Sequence, residues 1–590
     1  MCGIFAYSGH RDNAPEIIIK GLKKLEYRGY DSWGVAFPKE DNSVDRIRKV
    51  GKIGEFNLQT EHLPNATIAI GHSRWATHGG VTEANAHPHV DNAKRLAIVH
   101  NGIIENYREL RKELEAKGYI IQSETDSEMN VHLLADYCKD HDTITAAQLT
   151  FQRLKGRYSI LALKPDEHII IAARRGSPLI VGVGEKEYFI ASDIPAFLEY
   201  TQQVMYLDDQ EMVVLNGVPH FYNLVSGEEV SKRIVTIDWT PENAEKGDFE
   251  HFMIKEIMEQ KESLYRAINQ NDEKIMELAE VIKHAYGTFL IGCGTAGKVC
   301  NAASYLFSSV AKRHVNVVIG SEFPSYQDFL KEKSLVIAVS QSGETADTLE
   351  AIEVAKEKGS TILSIVNVEG SSMDRMSDYA IHIKAGPEKA VASTKATTSQ
   401  IAILTLLAYA CADRFAEGKR LLIETVAKIN DMLNPRYEDH IRSIAEKIKD
   451  VESMYVIGKA VNYPMALEAA IKLQEVSYIH AEGFAGGELK HGPIALISKG
   501  TPCIVLTAND ETRVDILNNA QEIKARGGYI IGVSPTDEDV FDEWIKVPDS
   551  PETSAILNII PVQLLAYHLA LFRKNDPDMP RNLAKSVTVK

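Results

Sequence analysis

The chain has 590 residues, of which 44% are hydrophobic and 25% charged, and carries a net charge of −17 from 82 acidic against 65 basic residues. That length exceeds what one hydrophobic core supports, so two to four ordinary domains are expected, and the composition excludes a disordered, fibrous or low-complexity chain. The acidic excess argues against nonspecific binding to nucleic acid or anionic membrane, so an anionic ligand would need local cationic or backbone N–H groups.

Taken in chain order, the first informative residue is Cys2, which follows Met1 and opens the run Cys2-Gly3-Ile4-Phe5. Removal of Met1 would leave a cysteine with a free α-amine of pKa roughly 8, uniting a thiol nucleophile and a base in one residue. Taken alone, Met-Cys-Gly also fits a start codon followed by a small residue of no consequence. Three polar stretches come next: Gly71 to Gly79, Val99 to Ile103 and Ser123 to Asp126, expected on loops beside apolar strands. An amide substrate with an amino acid head group needs a guanidinium for its carboxylate, an acid for its ammonium, and amide or backbone donors for a tetrahedral oxyanion. Arg74, Asp126 and the pair Asn101 and Gly102 fit these roles, although each unaided also fits an ion pair, a helix cap or a turn.

Up to about residue 240, β-prone runs (Tyr158 to Leu163, His168 to Ala173, Leu179 to Val183, Tyr188 to Ser192, Glu211 to Leu215) predict an α+β domain with extensive sheet. The strand pattern stops at Asp238 to Asn243, and helical periodicity begins at His251, placing a linker over 241–250. Beyond it, strands alternate with helices twice over. Thr288 to Gly292 resembles Met454 to Gly458, Leu335 to Ser340 matches Pro502 to Thr507, and Thr361 to Ile365 matches Tyr529 to Val533. Two copies of one parallel α/β unit are expected. Only the first copy has the turn Ser340-Gln341-Ser342-Gly343-Glu344-Thr345, whose hydroxyls, backbone N–H groups and helix dipole suit a phosphate, although by itself it also fits a helix cap; the second reads Thr507-Ala-Asn-Asp-Glu-Thr512. Lys472 and Glu475, three apart in the helical run Ala466 to Ser477, share a face, as would a surface ion pair.

The six cysteines form no Cys-x-x-Cys pair, which predicts free thiols, no metal site and a reducing, cytoplasmic setting. The N-terminus lacks a signal-peptide pattern, and the apolar run Ile401 to Ala412 is too short to span a bilayer.

Met1-Cys-Gly-Ile, Leu25-Glu-Tyr-Arg-Gly-Tyr-Asp31, His72-Ser-Arg-Trp-Ala-Thr-His78, His100-Asn-Gly102 and Glu124-Thr-Asp126 together resemble the class II glutamine amidotransferases. The C-terminal half resembles paired sugar isomerase (SIS) domains. With Ser340 to Thr345, Val391-Ala-Ser-Thr-Lys395, Glu488-Leu-Lys-His-Gly492 and the tail Pro580 to Val587, residues 2–590 resemble the glutamine:fructose-6-phosphate aminotransferase (isomerizing) family. The resemblance implies a four-layer αββα N-terminal-nucleophile domain over 1–240, SIS domains over 251–430 and 431–575, and a tail, 576–590, that contributes to the sugar site.

It further implies that Cys2 attacks the glutamine amide, that Arg74, Thr77, His78 and Asp126 bind glutamine, that Asn101 and Gly102 form the oxyanion hole, and that Trp75 gates an internal ammonia passage. Around fructose 6-phosphate it implies Thr295, Ser340, Gln341, Ser342, Thr345 and Ser393, with Glu388 and Lys472 completing the polar surroundings. Lys585 would form a Schiff base at carbon 2, Glu475 would move the proton between carbons 1 and 2, and His491 would assist ring opening. Unaided, Trp75 fits a core aromatic, His491 a capping histidine and Lys585 a solvated lysine in a tail. Ala296 stands where the family usually has a serine touching the sugar. The implied enzyme makes glucosamine 6-phosphate for hexosamine synthesis as a homodimer, without metal or organic cofactor. A fructosamine deglycase and a sugar phosphate sensor without turnover are the alternatives.

Overall fold

The computed structural model describes residues 2–58, 60, 63–76, 78–237 and 245–588, so Thr77 and most of the expected linker lie outside the described residues. Its contacts divide the chain into two units, Met1–Glu245 with Ala584–Lys590, and Lys246–Leu583.

The first unit is built on two antiparallel sheets of eight and seven strands. In the first, strand Gly3–Gly9 lies between Ile68–Arg74 and Glu187–Ala191, and its side chains alternate between faces. Ile4 and Ala6 point inward to a core shared with Ile68 and Ile70 and with Val99, Leu161 and Ala172 of the second sheet. Phe5 and Tyr7 point outward, where helix Ala14–Lys24 covers them with Ile17, Ile18 and Leu22. Helices Tyr107–Ala116, Glu128–Tyr137 and Thr143–Arg153 cover the outer face of the second sheet through Leu110, Leu134 and Phe151. The layers therefore run helix, sheet, sheet, helix.

The second unit contains two five-stranded parallel sheets. Numbered within each copy, both have the order 2-1-3-4-5: Asn316–Ile319, Gly287–Gly292, Ser334–Ser340, Thr361–Val366, Tyr379–His382, and then His480–Ala485, Ser453–Gly458, Pro502–Leu506, Tyr529–Ser534, Glu543–Lys546. The duplication read from strand patterns is thus also a duplication of topology. Leu290, Ile337 and Leu363 on one sheet, and Val456, Ile504 and Ile531 on the other, face a common core with helices Lys395–Cys411, Asn462–Ser477 and Ser554–Phe572. The opposite faces are covered by Ala346–Glu357 and Arg513–Lys524.

The segment Pro551–Phe572 is long and apolar enough to cross a membrane by length and composition, yet 89% of its apolar window is buried inside the unit. Asn558 and Gln563 on this helix, both buried, hydrogen-bond to Asn462 (2.9 Å) and Gln260 (2.8 Å), as expected of polar groups in a protein core.

Phe189 packs against Phe5, Tyr7, Phe197 and Tyr200, with ring centroids 5.0–6.1 Å away, beneath helix Ala14–Lys24. Phe189→Ala is expected to cost about 3–5 kcal/mol of stability through the cavity it leaves. Chemical denaturation followed by circular dichroism measures the loss.

Candidate functional site

In the first unit the motif residues divide between strand ends and loops: His72 to Arg74 and Val99 to Gly102 lie in strands, whereas Trp75, His78 and Ser123 to Asp126 lie on loops. Arg74 closes strand Ile68–Arg74, paired with Ser32, and Asn101 and Gly102 close strand Ala97–Gly102, paired with Ser159 and Tyr158. Ladder pairing continues into the polar residues because His72 to Arg74 keep register with Gly3, Ile4 and Ser32 to Gly34, so the scaffold fixes their backbones.

Cys2 leads into strand Gly3–Gly9 beside these ends. The Trp75 backbone N–H donates to Cys2 Sγ at 3.2 Å, and Asn101 Nδ2 donates to the Cys2 carbonyl at 2.9 Å. Arg28 Nε also donates to that carbonyl at 3.4 Å, while its Nη1 is anchored on Asp193 at 2.9 Å. Burial pushes the Cys2 thiol up; the Trp75 N–H and the Arg74 charge pull the other way. Trp75 itself is half-buried, outside the core clusters in which a structural aromatic would sit.

Arg74 is buried and spends its guanidinium on the carbonyls of His78, Gly79 and Gly80, so it holds the turn after its strand. Asp31 accepts from Ala76 N–H (2.8 Å) and secures the other side of that turn. Asp126, also buried, accepts from Ile104 N–H at 2.7 Å, directly after the Asn101–Gly102 strand end. His78 lies edge-on to Tyr107, at 5.9 Å between rings.

Sequence reasoning assigned no role to His72, which orients the amide of Asn101. His72 Nε2 bonds Asn101 Oδ1 at 3.1 Å and the His100 carbonyl at 2.9 Å, leaving Asn101 Nδ2 directed at Cys2. The donating tautomer follows from those two acceptors. Burial holds His72 down to about 3, so the ring is neutral, and it stacks on His87 at 4.2 Å. Burial likewise lowers His87, His89 and His100. The signal available in sequence was position: two residues before Arg74 on a strand, a side chain points to the same face.

In the second unit, the segments Cys293 to Thr295 and Ser340 to Thr345, at the ends of the first and third strands of the first copy, lie at the C-terminal edge where the strand order reverses. In open parallel sheets this is where ligands bind. The turn is ordered by its own side chains. Ser340 Oγ accepts from Gly343 N–H (3.0 Å), Ser342 Oγ accepts from Glu344 N–H (3.2 Å), and the buried Glu344 accepts from Ser372 N–H (2.7 Å) and Oγ (2.6 Å). Gly343 has φ +67°, and a Cβ there would lie 2.1 Å from Ser371 Oγ. Gln341 and Thr345 are half-buried, and Thr345 precedes helix Ala346–Glu357.

Across from this turn, helix Gly294–Ser309 packs on helix Asn462–Ser477, bringing Thr295 of the first copy to the second. Lys472, fully buried, lies 2.5 Å from Glu475 and 3.3 Å from Thr295 Oγ1. The pair is therefore no solvated surface pair. A second acid, Glu468, belongs to the same group; the sequence motifs do not single it out, although its spacing to Lys472 and Glu475 places all three on one helical face.

Glu388, expected in the polar surroundings of the sugar, accepts from Thr394 N–H (2.9 Å), Ala396 N–H (3.0 Å) and Ser393 Oγ (3.1 Å), so it fixes the start of helix Lys395–Cys411 together with Ser393. His491 is exposed, Lys585 is half-buried in the segment grouped with the first unit, and Ala296 packs against the central core. Among the described residues no group of three or more His, Cys, Asp or Glu could hold a metal ion.

Comparison with known proteins agrees with both units. The family described as "SIS domain" matches residues 282–410 and 447–573, and the "Glutamine amidotransferase domain" matches 72–199. Over the full length of both chains, the sequence is 42% identical to the glutamine–fructose-6-phosphate aminotransferase (isomerizing) of Pyrococcus horikoshii, and 41% identical to those of Thermococcus kodakarensis and Aquifex aeolicus. Among solved structures, the C-terminal domain of glucosamine-fructose-6-phosphate aminotransferase from Francisella tularensis aligns with a TM-score of 0.53 and 34% identity, covering 57% of this chain and 99% of that one.

Two predictions follow from the geometry. Gly102 has φ +117°, and a Cβ would lie 2.1 Å from the Arg157 carbonyl oxygen. Gly102→Ala is therefore expected to displace Asn101 and to lower glutamine hydrolysis about a hundredfold, read as glutamate release. The neutral His72 makes the fold acid-sensitive. Between pH 6.5 and about 3 the unfolded chain binds a proton that the folded ring refuses, so its contribution is whole above pH 6.5 and lost on acidification. Each such histidine removes about 1.4 kcal/mol per pH unit. Thermal unfolding is expected at progressively lower temperature from pH 6.5 to 4.5, and His72→Asn is expected to flatten that slope.

Proposed function

The chain belongs to the glutamine–fructose-6-phosphate aminotransferase (isomerizing) family, and from that premise we propose how its residues divide the work. The enzyme converts D-fructose 6-phosphate and L-glutamine into D-glucosamine 6-phosphate and L-glutamate, which supplies hexosamine synthesis.

After removal of Met1, the Cys2 thiolate attacks the glutamine side-chain amide, with its own α-amine receiving the thiol proton. The carbonyl oxygen becomes an oxyanion held by Asn101 Nδ2 and the Gly102 backbone N–H. Collapse breaks the carbon–nitrogen bond, ammonia leaves with a proton, and water resolves the thioester to glutamate. Arg74, Thr77, His78 and Asp126 hold the glutamine. The observation that carries this reading is Cys2 between the Trp75 N–H and Asn101, at the ends of two strands from different sheets. A protein that only senses a sugar phosphate has no use for that arrangement.

Ammonia passes internally to the sugar, with Trp75 as gate, because in neutral water it would be mostly ammonium, which lacks the attacking lone pair. Thr295, Ser340, Gln341, Ser342, Thr345 and Ser393 hold the phosphorylated ketose, with Lys472 and Glu388 completing its surroundings. His491 assists ring opening, Lys585 forms an imine at carbon 2, and Glu475 transfers the proton between carbons 1 and 2. The buried Lys472–Glu475 contact supports placing proton transfer here. The free state of all six cysteines supports a cytoplasmic location, and the family resemblance a homodimer.

Cys2→Ala is expected to lower glutamine-dependent synthesis about a thousandfold or more while synthesis from added ammonium salts persists. Full glutamine-dependent activity in that variant would end the assignment of the nucleophile. Lys585→Ala is expected to do the reverse, sparing glutamate release and abolishing amino sugar formation. Intact mass lower by one methionine checks the terminal amine.

A further inference from the structure

Glu468 is the member of the Thr295, Lys472 and Glu475 group for which the reactions above have no task. It is 0% exposed on helix Asn462–Ser477, one turn before Lys472 and two before Glu475. Its Oε1 accepts from Thr295 Oγ1 at 3.0 Å and lies 3.4 Å from Lys472 Nζ, while the buried Oε2 makes no hydrogen bond. A carboxylate carried into an apolar interior costs several kcal/mol unless a nearby cation and donors offset it. Among the described residues, Lys472 and Thr295 do so here.

The geometry of Lys472 indicates what such a group can do. Its ammonium sits 2.5 Å from Glu475 Oε2, a short charge-assisted contact that holds the carboxylate in its charged form and leaves Oε1 to take a proton from carbon. When Glu475 takes that proton it becomes neutral, and the ammonium loses its nearest counter-charge. Without a second anion that neutralisation would strand an uncompensated charge in a site where Lys472 has no exposure to water. Glu468 is that second anion, on the same face of the same helix, with one oxygen still open to a donor.

We propose that Glu468 is a positioning residue that receives the Lys472 ammonium while Glu475 is at work, and that pins the Thr295 hydroxyl across the junction of helices Gly294–Ser309 and Asn462–Ser477. Burial raises the Glu468 carboxyl to about 7 and Lys472 opposes the rise, so near neutral pH its charge follows the position of the ammonium. The inference rests on Glu475 as the base of the ketose–aldose step.

The experiment is a double-mutant cycle in the full-length enzyme with fructose 6-phosphate and glutamine. Glu468→Gln is expected to lower kcat for amino sugar formation about tenfold or more, with KM for fructose 6-phosphate changed by less than about threefold. Because Glu468 acts through Lys472, adding Glu468→Gln to Lys472→Met is expected to cost nothing further, whereas a purely structural role would be lost additively in both backgrounds. Glu468→Asp, which keeps the charge but shortens its reach, is expected to show the same split at smaller size. Unchanged kcat in both Glu468 variants, or an additive loss with Lys472→Met, overturns the proposal. Full turnover by Glu475→Gln would instead overturn the reading of the base on which it stands.

Discussion

Polar groups taken into a dry interior must find partners there, and this constraint shapes both sites. Asn101 can direct its amide nitrogen at Cys2 only because His72 occupies its oxygen. His72 is able to do so because burial keeps the ring neutral, with a proton on the nitrogen that faces both acceptors. Further out, His87 accepts the His100 backbone N–H and stacks on His72, so the support runs several residues deep. Each bond is modest, but leaving a buried donor or acceptor unmet is expensive, and the set therefore has one arrangement.

The same reasoning explains why the turn proposed to bind the sugar phosphate is ordered in the absence of a ligand. Ser340 accepts from Gly343, Ser342 from Glu344 and Glu344 from Ser372, and Glu388 ties the neighbouring loop to a helix N-terminus, so the turn is held by internal hydrogen bonds. Preorganisation of this kind removes an entropic cost from binding and makes fixed dipoles available to a phosphate. The helix pair Gly294–Ser309 and Asn462–Ser477 also gives the duplication a use. Two equivalent halves present unlike residues to a shared junction, with a hydroxyl from one and a Glu–Lys–Glu face from the other.

Much of this was legible in the chain. Period-two patterns located Tyr158–Lys164 and Glu211–Asn216 to within a residue, and paired strand–helix runs predicted two parallel sheets, because burying a strand on both faces leaves an unbroken apolar run that turns punctuate. Less legible was the backbone state of Gly71 to Arg74 and Val99 to Gly102, expected on loops but found in strands, since ladder pairing depends on partners far away in sequence, such as Ser32 for Arg74 and Ser159 for Asn101. The strand Ile68–Arg74 reads as polar at its C-terminal end, and only its neighbours carry it inside.

The sequence by itself determined the chemistry available: a cysteine behind the initiator, an arginine, an aspartate and an amide at motif spacing, one serine-rich turn in only one of two repeats, and a lysine and glutamate one helical turn apart. Those features are local or compositional, so spacing along the chain preserves them. Tertiary structure alone decided which of these groups are dry and whom they face. It made His72 an orienting donor, turned Glu388 to its helix, and set Glu468 against Lys472 and Thr295. Desolvation and hydrogen-bond direction depend on what packs around a side chain, and here the packing comes from strands and helices up to 177 positions away.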